Sequence, residues 1–221
     1  MLKIGHRGTR GHDIENTLTS LKKAIDMGVD AIEFDLRKTK DGHIVLFHDR
    51  KLKRLCKVKG SIKKKTLAEL KKLKVKGEGE IATFEEALKL AKGRVKLDIE
   101  IKVKGIEEEV VETLKKYGVM DDVVFVCSFY RRILGKVKSL EPKLETCLLF
   151  RKKPMRMGKV LEKYNIYSIA PNAKRATKPM FKWARKKGFK FYVWTVNRKK
   201  AIKKFKKWGV DGIVSDYPDR I

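Results

Sequence analysis

The sequence predicts an α/β chain folded as one compact (β/α)8 TIM barrel spanning residues 1–221. Two observations predict it. Short β-rich runs alternate with amphipathic helical stretches almost throughout, the pattern of βα units around a parallel sheet. In addition, 221 residues with 42% apolar content bury one sizeable core but would make two unusually small domains. An open doubly wound sheet is the alternative with the same alternation.

Taken in order, Lys3–His6 is the first strand, and Leu18–Met27 follows with apolar residues at helical spacing, closed by Gly28. Ala31–Leu36 is the second strand. Asp41-Gly42 is a tight-turn signal between Ala31–Thr39 and Ile44–His48, so these runs pair as a β-hairpin after strand 2 rather than as a βα unit. With Lys40 opposite His43, counting back sets His48 opposite Asp35. Residues 51–76 carry twelve Lys or Arg and one acid, Glu69. They read as a Lys-rich loop insertion over the C-terminal mouth, with one short helix near Thr66–Leu73.

The βα alternation then resumes. The helices Phe84–Ala91, Glu107–Tyr117, Arg131–Leu140, Lys159–Tyr164, Pro179–Lys187 and Lys199–Trp208 separate the strands Val95–Ile101, Val123–Cys127, Glu145–Leu149, Ile166–Ala170, Lys190–Trp194 and Gly212–Val214. Little chain follows the last strand, so the eighth helix is expected to be missing or vestigial.

A formal charge of +29 favours anionic partners, although it argues about association rather than chemistry. Cys56, Cys127 and Cys147 lie far apart with no C-x-x-C pair, so neither a disulfide framework nor a cysteine zinc site is indicated. Met1 leads directly into the first strand with no apolar secretion segment, and no stretch approaches membrane-spanning length. The expected location is the cytoplasm. A basic module binding nucleic acid or a membrane surface is the rival from another class. Nucleic-acid binding normally interleaves aromatics with the cations, and residues 51–76 contain none. No specific nucleic acid is therefore expected, and the oligomeric state is left open.

Four apolar runs end in charged residues that such runs normally exclude: His6-Arg7, Glu33-Phe34-Asp35, His48-Asp49 and Glu100-Ile101-Lys102. Strand side chains alternate faces, so Glu33 and Asp35 share one face, and in Leu97–Val103 every even position is charged. In a barrel these charges point inward, where an unpaired charge costs several kcal/mol as an order of magnitude. One divalent cation on Glu33, Asp35 and Glu100 compensates them. All-oxygen ligation suits Mg²⁺, Ca²⁺ or Mn²⁺ better than Zn²⁺. A buried ion-pair network with Arg7, Arg37 and Lys102 is the metal-free alternative.

Arg7 offers a planar fork for phosphate, and Lys102 a compact point charge. His6 and His48 supply one proton acceptor and one proton donor, the pair that phosphodiester cleavage requires.

At these residues the chain resembles the glycerophosphodiester phosphodiesterase family. The shared segments are Gly5-His6-Arg7-Gly8, Glu15-Asn16-Thr17, Glu33-Phe34-Asp35, Asp41-Gly42, His48-Asp49, Glu100-Ile101-Lys102, Ser128-Phe129, Trp194-Thr195-Val196-Asn197 and Asp211 through Pro218. Each is weak alone; their order along nearly the whole chain is specific. Ile14 and Ser215 depart from the family's usual Pro and Thr without touching the chemistry.

The resemblance implies a barrel enzyme that hydrolyses glycerophosphodiesters to glycerol 3-phosphate and an alcohol. It implies a divalent metal on Glu33, Asp35 and Glu100, with His6 and His48 as acid and base. It also implies that the substrate's own glycerol hydroxyl attacks phosphorus, giving a cyclic phosphate that water opens. A lysophospholipase D activity would use the same site, with an apolar trough beside the mouth.

Trp194 is expected as a wall against the glycerol carbons. Asn16 reads as a helix N-cap, Asp98 as a structural partner to a neighbouring cation, and His12 and His43 as solvated loop residues. Ser128 lacks a nucleophile elbow. The Lys-rich insertion reads equally as a solvated face and as a recruiter of anionic lipid headgroups or anionic diesters.

Overall fold

Side chains that alternate along each strand place one face under helices and the other inside a closed sheet. The computed structural model describes residues 1–152 and 155–221. Its strands are β1 (Leu2–Gly5), β2 (Ala31–Lys38), β3 (Ile44–Leu46), β4 (Lys96–Ile101), β5 (Val123–Ser128), β6 (Thr146–Phe150), β7 (Ser168–Pro171), β8 (Lys190–Val193) and β9 (Gly212–Ser215). The strand order is β1-β9-β8-β7-β6-β5-β4-β2, and a further β1–β2 pairing closes the ring. Every ring pairing is parallel, which makes a TIM barrel and excludes the open sheet.

The helices are α1 (Leu18–Asp26), α2 (Lys53–Cys56), α3 (Leu67–Lys71), α4 (Phe84–Ala91), α5 (Glu107–Tyr117), α6 (Arg131–Leu140), α7 (Met157–Lys163), α8 (Lys178–Lys186) and α9 (Lys199–Trp208). A 3₁₀ turn, Pro218–Arg220, follows β9. Gly118 and Gly209 end α5 and α9 in the left-handed region, φ 61° and 73°, where a side chain would be strained.

The outward residues Ile32, Phe34, Leu36, Leu97, Ile99 and Ile101 pack with helix residues such as Leu21, Phe84, Ala87 and Leu88. The inward residues Ile4, Ala31, Phe125, Cys127, Cys147, Tyr192 and Val214 fill the barrel interior. Toward the C-terminal end of β2 and β4 this apolar filling gives way to carboxylates.

Two local expectations are corrected. The hairpin register is one residue off: β2 pairs antiparallel with β3 through Leu36–Leu46 and Lys38–Ile44, and Thr39 closes on His43. A three-residue loop with Gly42 at φ +95° therefore replaces the two-residue turn, and Phe47 rather than His48 bonds to Asp35. The 51–76 segment is also more ordered than a loop with one helix. It holds α2, a 3₁₀ turn at Ile62–Lys64 and α3, which Thr66 opens with a capping box to Glu69. Leu52, Leu55, Ile62 and Leu70 bury with Phe47 and Ile81 in a small core of their own. Those apolar residues are spaced singly among lysines, so no run announces them.

Candidate active site

The C-terminal rim gathers the charged residues from separate strands. Asp35 lies beside Glu100, and Glu33 beside Asp98, in the parallel β2–β4 register. Glu33, Asp35 and Glu100 are all buried, and each offers a carboxylate oxygen within 4.8 Å of the others.

β1 pairs with β2 only as far as Gly5–Ile32, so the β2 backbone beyond lacks a strand partner on that side. Local groups take its place. Gly8 N–H donates to the Glu33 carbonyl, and Asn16 clamps Asp35 twice: its Oδ1 accepts the Asp35 N–H at 3.1 Å and its Nδ2 donates to Oδ2 at 2.9 Å. Asn16 is thus not the N-cap of α1. Thr17 caps it, accepting from Ser20 N–H. Arg7 and Asn16 both have left-handed backbones, φ 51° and 60°, a conformation that costs a non-glycine residue about 1–2 kcal/mol. That bend points the Arg7 N–H at Glu33 (2.7 Å).

Two cations face the carboxylates. Arg7 Nε lies 3.1 Å from Asp35 Oδ2, while Lys102 Nζ lies 3.2 Å from Asp35 Oδ1 and 2.7 Å from Glu100 Oε1. Burial opposes ionisation of Asp35, yet Arg7 and Lys102 hold its carboxyl far below the usual range. At the other two acids the same cations are outweighed. Burial and the Asp35 charge push Glu33 well up and raise Glu100 to about 7.

Burial likewise pushes Asp98 up, and its contact is the Cys127 thiol at 3.1 Å rather than a cation. This corrects the expected ion pair. The β5 strand next to Asp98 carries Cys127 and Phe125, neither of them basic.

Each histidine is held by an aspartate. His6 Nδ1 lies 2.5 Å from Asp216 Oδ1, with its Nε2 toward Glu33, 3.9 Å away. His48 Nδ1 lies 2.6 Å from Asp49 Oδ1, and two of the Arg37 nitrogens, Nε and one terminal NH₂, donate to the His48 carbonyl at 2.9 and 2.6 Å. Burial lowers both imidazoles, the Asp216 hydrogen bond opposing it at His6 and the Asp35 charge at His48. Both rings therefore sense the field of Asp35 and Arg7 at one rim. The one-residue hairpin slip puts Phe47 into the insertion's small core and leaves His48 half-buried at the site.

Trp194 follows β8, donates its indole N–H to the Ala170 carbonyl at 2.7 Å and meets Phe129 edge-on at 5.4 Å. Phe129 in turn lies 5.7 Å from Lys102 Nζ. Ser128 is buried, donating to the Ile101 carbonyl. His12 pairs with Asp219 at 2.6 Å near the surface, and His43 is exposed.

Four positioning residues carry no role in the sequence reading. Glu15 accepts from Arg7 (2.7 Å), Arg10 (3.1 Å) and Arg54 (2.9 and 2.7 Å). Burial opposes it, but the Arg54 hydrogen bonds and the Arg7 charge hold its carboxyl at about 2. Asp216 is oriented by Asn197, whose Nδ2 donates to it at 2.7 Å. Arg54 ties the insertion to the barrel through Glu15 and Asp49. Glu15, Asn197 and Asp216 all fall inside the quoted motifs, which is the one signal that could have found them. Arg54 has none.

The model of the Glycerophosphoryl diester phosphodiesterase family matches residues 6–220. The glycerophosphodiester phosphodiesterase of Caldanaerobacter subterraneus is 34% identical over 237 residues, covering 100% of this chain and 96% of its own. The structure of an Oleispira antarctica phosphodiesterase in complex with the product sn-glycerol-3-phosphate superposes with a TM-score of 0.93 at 31% identity, covering 99% and 94% of the two chains. That of the Thermotoga maritima glycerophosphodiester phosphodiesterase gives 0.84 at 27%, covering 99% and 96%. With a barrel, a rim of acids and this full-length match in hand, the chain belongs to the glycerophosphoryl diester phosphodiesterase family.

Proposed function

We propose that this protein is a metal-dependent phosphodiesterase that hydrolyses glycerophosphodiesters to glycerol 3-phosphate and an alcohol. The observation that carries it is the buried trio Glu33, Asp35 and Glu100 within 4.8 Å of one another, flanked by two aspartate-held histidines. The trio fits a hard divalent cation. Arg7 and Lys102 satisfy Asp35, whereas burial and the Asp35 charge push Glu33 and Glu100 up, and a divalent cation among the three would favour their ionised forms. All-oxygen donors point to Mg²⁺, Ca²⁺ or Mn²⁺. Bound there, such an ion supplies Lewis-acid stabilisation of the charge that builds on the phosphoryl oxygens.

The chain's own groups do the rest. Arg7, braced by Glu15, presents its guanidinium to the phosphate, and Lys102 adds a second positive charge beside it. Asp216 and Asp49 fix the Nδ1 side of His6 and His48, which leaves each Nε2 to carry the shuttled proton. One imidazole accepts the proton of the attacking glycerol hydroxyl, and the other delivers one to the departing alkoxide. In the second half, water opens the cyclic phosphate with the two roles exchanged. Trp194 walls the glycerol carbons.

Lysophospholipids present the same reacting centre. A trough of about 400 Å³ offers an acyl chain apolar contact with Phe129, Leu148 and Phe150, beside cations that include Lys104, Arg131 and Arg151. Cys127 and Cys147 sit opposite each other on neighbouring strands as free thiols, which suits the reducing cytoplasm.

The test is release of glycerol 3-phosphate from a panel of glycerophosphodiesters and lysophospholipids. Chelator should abolish it, and Mg²⁺, Ca²⁺ or Mn²⁺ should restore it. His6→Ala and His48→Ala should each lower turnover by about 10²-fold or more. Undiminished turnover in chelator removes the metal, and wild-type rates in either variant remove that histidine from the chemistry.

A further inference from the structure

A groove of about 1100 Å³ runs from Lys102 out between the barrel rim and the insertion. Its rim side is Arg37, Lys38, Lys102 and Lys104; its insertion side runs from Arg50 and Lys51 through Lys59 to Lys64. No carboxylate lines it. Part of the +29 charge is spread over helix faces such as α8 and α9, but here two walls of cations oppose each other across a cleft that opens onto the reacting centre.

Apart from Lys38, paired with Glu109, and Lys102, paired with Asp35 and Glu100, these cations also lack the partners that surface lysines find elsewhere in the molecule. Lys22, Lys65, Lys71, Lys74 and Lys115 each pair with a carboxylate. Among the described residues, Arg50, Lys51, Lys53, Lys59, Lys63 and Lys104 make no ion pair. A cleft of unpaired like charges is a cost to the free protein, and a bound anion relieves it.

The groove is not a floppy appendage. The insertion has its own small core, and Arg54 ties it to Glu15 and Asp49 beside the site. In the ring β8 stands four places from β4 in either direction, so Trp194 and the groove begin on opposite sides of the mouth. With the glycerol carbons against Trp194, the ester's other arm extends from the phosphorus toward Lys102 and the groove.

We infer that the groove is the leaving-group subsite and selects glycerophosphodiesters whose alcohol carries further negative charge, such as a phosphorylated polyol. A cationic alcohol such as choline finds no carboxylate there and is repelled by the Lys and Arg side chains that line most of it. The inference rests on the phosphodiesterase reading and narrows its substrate class.

The experiment compares kcat/KM for three soluble diesters of sn-glycerol 3-phosphate, with choline, glycerol or a phosphorylated inositol as the alcohol. Each partly screened contact is worth a factor of about 2–5, so two or three should favour the phosphorylated alcohol over glycerol by about tenfold or more, with choline below both. The preference should shrink in 1 M salt, where charges are screened beyond about 3 Å. In the triple variant Lys51→Gln, Lys59→Gln, Lys63→Gln the ratio of phosphorylated to neutral substrate should fall toward one. The same three changes on helix α9, at Lys200, Lys203 and Lys207, should leave that ratio in place.

Choline turned over as fast as the phosphorylated alcohol overturns the inference, as does a preference for lysophospholipid, or a ratio that the triple variant does not move. A triple variant that loses sedimentation with phosphatidylglycerol vesicles but keeps its soluble-substrate ratio assigns the groove to a membrane surface instead. Cleavage of the glycerol diester without any preference sinks only the subsite. No cleavage of any diester sinks the phosphodiesterase reading itself.

Discussion

Asp216→Asn tests whether the histidines work as oriented proton carriers. Asp216 Oδ2 accepts from Asn197 Nδ2 at 2.7 Å, and Oδ1 faces His6 Nδ1 at 2.5 Å. In the amide, the oxygen is kept by the Asn197 donor and the NH₂ is left facing Nδ1. His6 Nδ1 must then accept, so its neutral ring carries the proton on Nε2, the atom the chemistry needs free. A hydrogen bond to a charged group is worth about 1.5–3 kcal/mol, which is roughly a 10- to 150-fold loss, and the inverted tautomer adds to it.

The expected fall in kcat is therefore about 10²- to 10³-fold, with KM changed little. Because Asp216 opposes the lowering of His6 by burial, its loss should also lower that imidazole further and move any acid limb owed to His6 to lower pH. Steady-state kinetics across pH, with near-UV circular dichroism to show an intact fold, measures both. A variant that keeps more than a tenth of wild-type kcat, or a limb that moves upward, refutes the orientation argument.

Glu15→Gln probes the arginine brace. Its carboxyl is held at about 2 rather than 4.5, a difference worth about 3 kcal/mol. A depressed carboxyl stabilises the fold above its unfolded value and loses that contribution as pH falls from 4.5 toward 2. Urea unfolding at pH 7 should show a loss of about that size, and the variant should lack the wild type's steep decline across this window. Divalent cation at 100 times its Kd should stabilise the fold by about 2.7 kcal/mol, read as a rise in Tm, and Glu33→Gln should abolish the rise. Phe34 is fully buried behind the site, and Phe34→Ala should cost about 3–5 kcal/mol in denaturant unfolding. Gly8→Ala should unfold the mouth, because a Cβ there would lie 2.5 Å from Ser20 backbone atoms at φ +80°.

The fold was legible because a parallel barrel is written locally. Each strand carries its own alternation and each helix its own apolar stripe, so Glu33 and Asp35, or Glu100 and Lys102, declare themselves from spacing alone. Phe34 and Ile99 fall on the helix-packed face for the same reason. Where a decision depended on partners distant in sequence, spacing was silent. The hairpin slipped by one residue because Thr39 and His43 close a three-residue loop, and Phe47 buries among Leu52, Leu55 and Ile62 of the insertion. The early end of β1 left the Asp35 N–H open to Asn16, while Thr17 took the cap.

By itself, then, the sequence determined the barrel, its charged strand ends and the residue types available for phosphoryl chemistry. Only the tertiary structure decided which carboxylate the cations satisfy, which aspartate holds each imidazole, and that Arg54 reaches Glu15 across 39 positions. Patterning is a property of one segment in contact with its own neighbours. Charge compensation in a buried site depends on distances between segments, and those exist only once the ring has closed.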